Sequence, residues 1–460
     1  MTTLAASPST FVWVAKNGND AKARRGRIDL PFLTIQAGLN AALAGDAILV
    51  APGTYPENLV IPDIDGLAIV GENTTTTIIT AALGRTISWV PAAGPGALVR
   101  SFNLAKLTVS NTDPLSNTIH VDGTAVSDPN TFCGSFFCDE IAVTHSGAGI
   151  PMNMICVGRV ITSLSTFTGN TGGGVRIRNC SRFQATESSI ASSVLLPSTV
   201  LDLGWDRGAG VIPGLGREGY YLSNSTFIGS NTVLSGQPIF SLGVGCTMLG
   251  TLTTALTFFA GVGVNQGPVI YLNGSNGAFV DPAGSGYVTP PFAGVGNVTI
   301  TLPLTTGGLP RMILDMSGGR FYGPVTLVAA GPNRQSVNAK GAIFYAASAG
   351  NISAGAFIDL DLRGATFAQA ALAVVGSGAI DRDKVTIQAA SVAPAGTAIV
   401  FAIPFPSTVT TQYTPQFTPT AIPATALAVA ITARTATGFT ATAVGVAVAA
   451  TGDFVVTRAA

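Results

Sequence analysis

Charge is what this chain has least of. Only 10% of its 460 residues are Asp, Glu, Lys or Arg, against roughly a quarter in an average soluble domain. The 23 basic and 23 acidic side chains cancel, so no field draws the chain to nucleic acid or an anionic membrane, and neither is expected as a partner. Histidine is scarcer still, with His120 and His145 alone. The five cysteines (Cys133, Cys138, Cys156, Cys180, Cys246) are odd in number and scattered, so no zinc-type spacing exists. They read as small buried hydrophobes, and only Cys133 and Cys138 sit close enough to pair in an oxidising compartment. No G-x-S-x-G, P-loop or dinucleotide fingerprint occurs, and no cofactor is called for. The opening MTTLAASPSTFVWV lacks the basic start and apolar core of a secretory signal, which predicts synthesis in the cytoplasm without export. The run Thr247–Val264 approaches the length of a membrane span. Its threonines and glycines favour a buried strand, and no membrane span is expected.

What the chain does have is 55 glycines with abundant Thr, Ser, Ala and Val, a composition of β structure with tight turns. Short apolar-alternating runs recur at intervals of roughly 20–35 residues. Examples are Leu104-Ala-Lys-Leu-Thr-Val-Ser-Asn, Glu140-Ile-Ala-Val-Thr, Leu164-Ser-Thr-Phe-Thr-Gly-Asn, Phe183-Gln-Ala-Thr-Glu-Ser-Ser-Ile and Ile358-Asp-Leu-Asp-Leu-Arg-Gly-Ala-Thr-Phe. Each reads as a strand closed by a sharp Gly or Asn turn.

Residues 31–61, PFLTIQAGLNAALAGDAILVAPGTYPENLVI, place Ile35, Leu39, Ala42 and Leu43 on one face of a short helix. Gly45-Asp46 is expected to stop that helix, with strands over Ala47–Val50 and Tyr55–Ile61. This pattern resembles the opening of right-handed parallel β-helix proteins of the pectate-lyase-like group, in which the helix plugs the N-terminal end of the solenoid. The rung-like Ser165-Thr-Phe-Thr-Gly-Asn-Thr-Gly-Gly-Gly-Val-Arg-Ile-Arg-Asn-Cys-Ser resembles one coil of the same fold. Near residue 385 the composition changes again, since Val385–Ala433 carries no charge and holds five prolines between Pro404 and Pro423. With its F-A-I-P-F-P-S-T-V and T-A-T-G-F-T-A-T-A segments, this block is similar to the small antiparallel β-sandwich of H-type lectin-like modules at viral and phage fibre tips. The expected fold class is all-β: an arm over 1–30, a parallel β-helix over 31–385 with its capping helix near 34–44, and a C-terminal β-sandwich over 386–460.

The resemblance also implies places to look for chemistry. Polysaccharide-cleaving β-helices use clustered Asp, a His and a basic segment. The matching candidates here are Asp113, Asp139, Glu140, His145, Arg176 and Arg178. Their order mimics the hydrolase set. The spacing does not, because the acid pair and His145 stand only five or six residues apart where the family puts about one coil between them. Asn111-Thr-Asp-Pro reads more simply as a turn. Asp359 with Asp361, and Asp381 with Asp383, each project on one strand face and form two weak calcium candidates. Arg363, Arg382 and Lys384 would neutralise them, so an ion-pair patch outweighs a metal site. Trp13, Trp89, Trp205, Tyr220 and Tyr221 are too scattered for a sugar-stacking platform and read as packing residues.

One stretch bears on partners. Between Gly219 and Pro310 the only charged residue is Asp281. An outward strand face without charge implies a covering surface, either sister chains or a neighbouring protein. The sequence therefore points to a non-enzymatic structural protein of a virus or phage particle, a fibre, spike or tegument block assembling as a homotrimer with other virion proteins. The alternative is a tailspike-like hydrolase, lyase or adhesin acting on surface glycans.

Overall fold

The computed structural model describes residues 10–90, 100–124, 134–192, 199–205, 219–236, 239–242, 246–256, 269–271, 298–302, 313–318, 320–321, 325–329, 335–344, 352–354, 358–367, 380–381, 384–392, 397–400, 413–419, 428–435, 438–444 and 450–458. It divides into two compact units, one of residues 1–240 with 259–264 and one of 241–258 with 265–460.

Three parallel ladders run through the first unit. Ladder A stacks Phe11–Val14, Ala47–Val50, Leu67–Gly71, Arg100–Ala105, Gly134–Asp139, Arg159–Ser163, Arg182–Thr186 and Gly219–Ser223. Ladder B stacks Gly53–Pro56, Thr77–Ala81, Thr108–Asn111, Ala142–His145, Thr166–Gly169, Ser189–Ser192 and the first part of Thr226–Gly236. Ladder C stacks Leu59–Val60, Ile87–Trp89, Ile119–Asp122, Met152–Ile155, Val175–Arg178, Thr199–Trp205 and the second part of Thr226–Gly236. The chain visits A, B and C in turn and returns to A one rung on. The fold is a parallel β-helix, of the right-handed sense that parallel crossovers take.

Side-chain period 2 gives each ladder an inward column. Ladder A buries Phe102, Phe136, Val160, Phe183 and Tyr220 in register, and ladder B buries Tyr55, Ile79, Val109, Val143, Phe167, Ile190 and Phe227. Each such side chain is worth about 1.5–3 kcal/mol of burial. Trp89 joins Phe102 and Phe136 at ring separations of 6.1 and 6.5 Å, so Trp89 packs the interior, as does Tyr220.

The corner from A to B repeats one device. Lys106, Glu140, Leu164, Glu187 and Asn224 all take left-handed backbone, with φ between 45° and 55°. The next residue turns inward, and from the third of these corners on it is serine. Ser165, Ser188 and Ser225 each return a hydroxyl bond to the carbonyl two residues back, at 2.6, 3.0 and 2.7 Å. Their hydroxyls also accept from the coil before: Ile141 N–H donates to Ser165 and Ser188 N–H to Ser225. The recurring x-Ser-Thr/Ser-Phe/Ile word in the sequence is this corner.

The first coil is sealed. Helix α1 spans Ile35–Ala41, with Thr34 as N-cap accepting from Ala37 N–H. It is shorter than the apolar spacing suggests: it ends at Ala42, ahead of Gly45, and Leu43 is 57% exposed. The physical reason is Asp46, which is wholly buried and accepts from Leu43 N–H at 2.8 Å, drawing the chain out of the helix. Arg25 meets Asp46 through two bonds of 2.5 and 2.6 Å, so Arg25 ties the N-terminal segment to the end of the helix. The expected strand Tyr55–Ile61 is two strands, because Glu57 and Asn58 form the corner between ladders B and C. Glu57 accepts from Ile35 and Gln36 N–H at 2.9 Å each, holding the helix N-terminus. The Gln36 amide then bonds Val60 as a strand would, donating to its carbonyl and accepting from its N–H. Phe11–Val14, the first rung of ladder A, is covered likewise by Gly26 N–H and by both backbone groups of Phe32. Gly18 permits that fold-back, since a Cβ there would stand 2.2 Å from the Phe32 carbonyl oxygen.

In the second unit the coils keep parallel pairing. One ladder stacks Val269–Tyr271, Ile313–Asp315, Gln335–Asn338, Ile358–Asp361 and Ile380–Asp381. Another stacks Arg320–Phe321, Ile343–Phe344 and Thr366–Phe367, ending on Lys384–Val392. Thr247–Leu256 is a strand, while 257–264 lie outside the described residues. Lys384–Val392 pairs parallel with Thr366–Phe367 and antiparallel with Ala450–Arg458, which in turn pairs with Tyr413–Pro419. Thr397–Val400, Gly438–Val444 and Ala428–Thr435 make a second antiparallel sheet. The change from solenoid to antiparallel sheets thus happens within one strand, which runs through residue 385. Among the described residues no helix is long and apolar enough to cross a membrane.

Candidate functional site

The six candidate catalytic residues fall on three different parts of the first unit. Asp139 ends a ladder A strand and accepts from the Ser163 hydroxyl at 2.5 Å. Glu140 occupies the left-handed corner after it and lines a hollow of about 310 Å³ with Asn73, Thr74, Lys106 and Leu164. Asp113 lies in the turn after the ladder B strand Thr108–Asn111. It is 8% exposed, and its carboxylate accepts from Gly84 and Leu115 N–H at 2.5 and 2.9 Å. These backbone bonds, Leu115's foremost, hold its carboxyl below the ordinary range. The turn is closed by Asp113 N–H on the Asn111 side chain at 2.7 Å, as the Asn-Thr-Asp-Pro reading anticipates. His145 ends a ladder B strand, is 3% exposed, and has the Thr118 hydroxyl 3.1 Å from Nδ1. Asp113 and His145 are therefore neighbours, while Asp139 and Glu140 stand at another corner.

Arg176 and Arg178 belong to ladder C, and there the structure assembles something the candidate set did not contain. The outward column of ladder C reads Ser88, His120, Asn153, Arg176, Asp202, one rung after another. Asn153 and the His120 Nδ1 are 3.0 Å apart, and both residues are 5% exposed although they face away from the coil interior. Asn153 Oδ1 has no hydrogen-bond partner among the described residues. Arg176 reaches Asp202 at 3.1 Å and Arg178 at 2.5 Å, and Arg178 also donates to Ser235 at 2.5 Å. Arg176 remains about half exposed, with 49% of its side-chain surface open to solvent. Burial lowers the His120 pKa first and nearby Arg85 lowers it further, with Asp122 opposing. The imidazole is thus held neutral near pH 7.

Chemically, this face offers two guanidinium groups on one carboxylate, a neutral imidazole and an orphaned amide oxygen. It suits holding an anionic or hydroxyl-rich group better than cleaving one. Glycosidic cleavage needs two carboxyl groups roughly 5–10 Å apart. Asp122 and Asp202 are three rungs apart, about 14 Å along the axis at ~4.8 Å per rung. Sequence reading found the two arginines through their Arg-x-Arg spacing. It missed His120, Asn153 and Asp202, because their alignment depends on coil register. Ile119-His-Val-Asp, Met152-Asn-Met-Ile and Val200-Leu-Asp-Leu each set His120, Asn153 or Asp202 between apolar neighbours, and that was the available signal.

In the second unit, Asp361 bonds Arg363 at 2.7 Å and Lys340 at 3.2 Å. Asp361 and Asp381 are register partners. The side chains of Asp359 and Asp381, all of Asp383, and the Cys133 of the Cys133–Cys138 pair lie outside the described residues; Cys138 itself is buried. Among the described residues no group of three His, Cys, Asp or Glu is placed to hold a metal.

No protein-family model matches the chain, and no curated protein matches it. Solved structures do. Pectin methylesterase PemA from Erwinia chrysanthemi is 14% identical, with 67% of this chain and 94% of that one covered at a TM-score of 0.29. The Aspergillus niger pectin methylesterase is 16% identical, with 63% and 93% covered at 0.33. The tailspike gp61 of Pseudomonas phage phi297 is 10% identical, with 92% and 90% covered at 0.30. Likeness at this level carries no functional weight, and the fold itself rests on the strand ladders.

Proposed function

We propose that the chain is a structural building block of a virus or phage particle, a rigid β-helical element that assembles as a homotrimer through its charge-poor faces and meets other virion proteins there. One observation carries this reading. The strands Gly219–Ser223, Thr226–Gly236, Thr247–Leu256 and Val298–Leu302 all fall in the stretch where Asp281 is the only charge. None of these strands carries a charged residue, so whatever surface either unit presents through them is uncharged. Uncharged strand surface is stable in water when another surface covers it. The parallel ladders supply stiffness, because interior strands are paired on both edges. The ion pairs of the first unit support the same reading, since the carboxylates of Asp46 and Asp202 are engaged within the chain.

The test is the mass of the full chain in solution at micromolar concentration, by sedimentation or light scattering. Three times the 46.5 kDa chain mass is expected. A soluble monomer overturns the trimer, and a monomer that cleaves or retains an acidic glycan at the Arg176 face replaces the structural reading with the glycan-directed one.

A further inference from the structure

The chain's two histidines lie on adjacent coils, His120 in Ile119–Asp122 and His145 in Ala142–His145, and Thr118 links them. The Thr118 hydroxyl donates to the Thr144 carbonyl at 3.1 Å. Its oxygen is left as an acceptor for His145, which assigns the His145 hydrogen to Nδ1. Nε2 is then a lone pair, buried and without a hydrogen-bond partner among the described residues. Gly149 packs directly against it: a Cβ at that position would stand 2.7 Å from Nε2. A proton arriving at Nε2 puts a charge in a site 3% exposed, where burial outweighs what the Asp113 carboxylate and backbone give back, an expensive arrangement.

The groups around His145 do little to offset this. Its ladder neighbour Asn111 and the Thr118 hydroxyl are uncharged. Asp113, from the turn of the preceding coil, is the charged group that faces it, and its carboxylate already accepts two backbone N–H groups. Around His120 stand Ser88 and Asn153 on the ladder, Arg85 and Asp122, with Arg176 one rung beyond Asn153.

We propose that the two coils of residues 100–124 and 134–155 form an acid-released element, in which proton uptake at buried His145 unseats the turn 146–150 and loosens the rungs on either side. The direction follows from linkage. Desolvation, the largest influence on both imidazoles, lowers their pKa in the folded chain. The unfolded chain therefore binds these protons at higher pH, and the stability they contribute is complete above the ordinary histidine range and lost as pH falls through about 6.5. The Asp113 carboxyl beside His145 is held below the ordinary carboxylate range, well outside this window. Between pH 7.5 and 5.5 the two histidines are thus the only side chains in the sequence with an ordinary pKa inside the window.

The full chain, melted at pH 7.5 and 5.5, is expected to melt lower at pH 5.5; a tenfold difference in one proton affinity between folded and unfolded chain would read as a drop of about 2–4 °C. Hydrogen exchange corrected for intrinsic pH dependence should rise first within 111–155. His145→Asn, which keeps a donor toward Thr118, should remove most of the difference. Equal melting at the two pH values overturns the proposal, as does an undiminished difference in the variant. Should His145→Asn not fold, wild-type protein with labelled imidazoles decides. Signals that stay neutral until the coil opens support the device, and a His145 signal titrating near 6.5 in a protected coil refutes it.

Discussion

At the scale of single residues, the corner between ladders A and B shows how the chain trades local strain for register. Left-handed backbone costs a residue with a Cβ about 1–2 kcal/mol, yet Lys106, Glu140, Leu164 and Glu187 all adopt it. They do so because the corner must reverse the side-chain facing within two residues, so that the next side chain points inward. Leu164 gains nothing from its identity there, being 52% exposed. Asn tolerates this conformation far better, as Asn224 does two corners on. Leu164→Asn should therefore raise stability by about 0.5–1 kcal/mol, read as a higher midpoint in urea with an unchanged slope. An unchanged or lower midpoint would show that Leu164 makes contacts worth more than the strain. The sequence displayed this corner plainly as a word, x-Ser-Thr-Phe. That the x residue is left-handed was illegible, because Lys, Glu and Leu announce no such turn.

At the scale of elements, the opening motif is best understood as a seal. A parallel solenoid ends in open strand edges, and an open edge is a template for another chain. Phe32, Gln36 and Glu57 each answer one exposed group: Phe32 covers the first rung of ladder A, Gln36 the first rung of ladder C, and Glu57 the helix N-terminus. Gln36→Leu removes both bonds to Val60 while keeping helix propensity and bulk. The expected cost is about 1–2 kcal/mol, with light scattering that grows with concentration as bared ends find one another. A variant that loses stability but stays monodisperse would mean that the helix body alone blocks the edge. The helix, its neighbouring strands and the family resemblance were all legible here. The length of the helix was not, since Asp46 ends it through a tertiary ion pair with Arg25 that lies outside any local pattern. The same limit hid the polar face of ladder C. Ser88, His120, Asn153, Arg176 and Asp202 follow one another at intervals of 23 to 33 residues, and only the register of five coils brings them into one line.

At the scale of the whole molecule, the second unit preserves a repeat that the first has let drift. Asp315, Asn338 and Asp361 recur at 23-residue intervals, as do Gly318, Gly341 and Gly364, and Phe321, Phe344 and Phe367. The three glycines share left-handed φ of 63° to 68°, and each Asp or Asn side chain accepts from the N–H two residues on, at 2.9 to 3.2 Å. Asn338 also donates to Asp315 at 3.1 Å, tying one corner to the next. The repeat then fails in Asp381-Arg-Asp-Lys-Val-Thr-Ile, where Lys384 stands in the glycine position and Ile387 in the phenylalanine position. That is where the strand Lys384–Val392 leaves the coil path and pairs antiparallel with Ala450–Arg458. If the solenoid is additive, a whole coil is removable and a fraction of one is not. Deleting residues 339–361 joins Asn338 to Leu362 and restores the corner as Asn-Leu-Arg-Gly-Ala-Thr-Phe, with Phe367 moving up one rung. This shortened chain should keep its β circular dichroism and a single cooperative melt. Deleting 339–350 instead joins Asn338 to Asn351, places no glycine at the turn, and turns the inward column outward by breaking the register. It should aggregate or melt without cooperativity. Equal behaviour of the two deletions would mean that the 23-residue spacing does not set the coil, and that the ladders of the second unit are held by something other than their repeat.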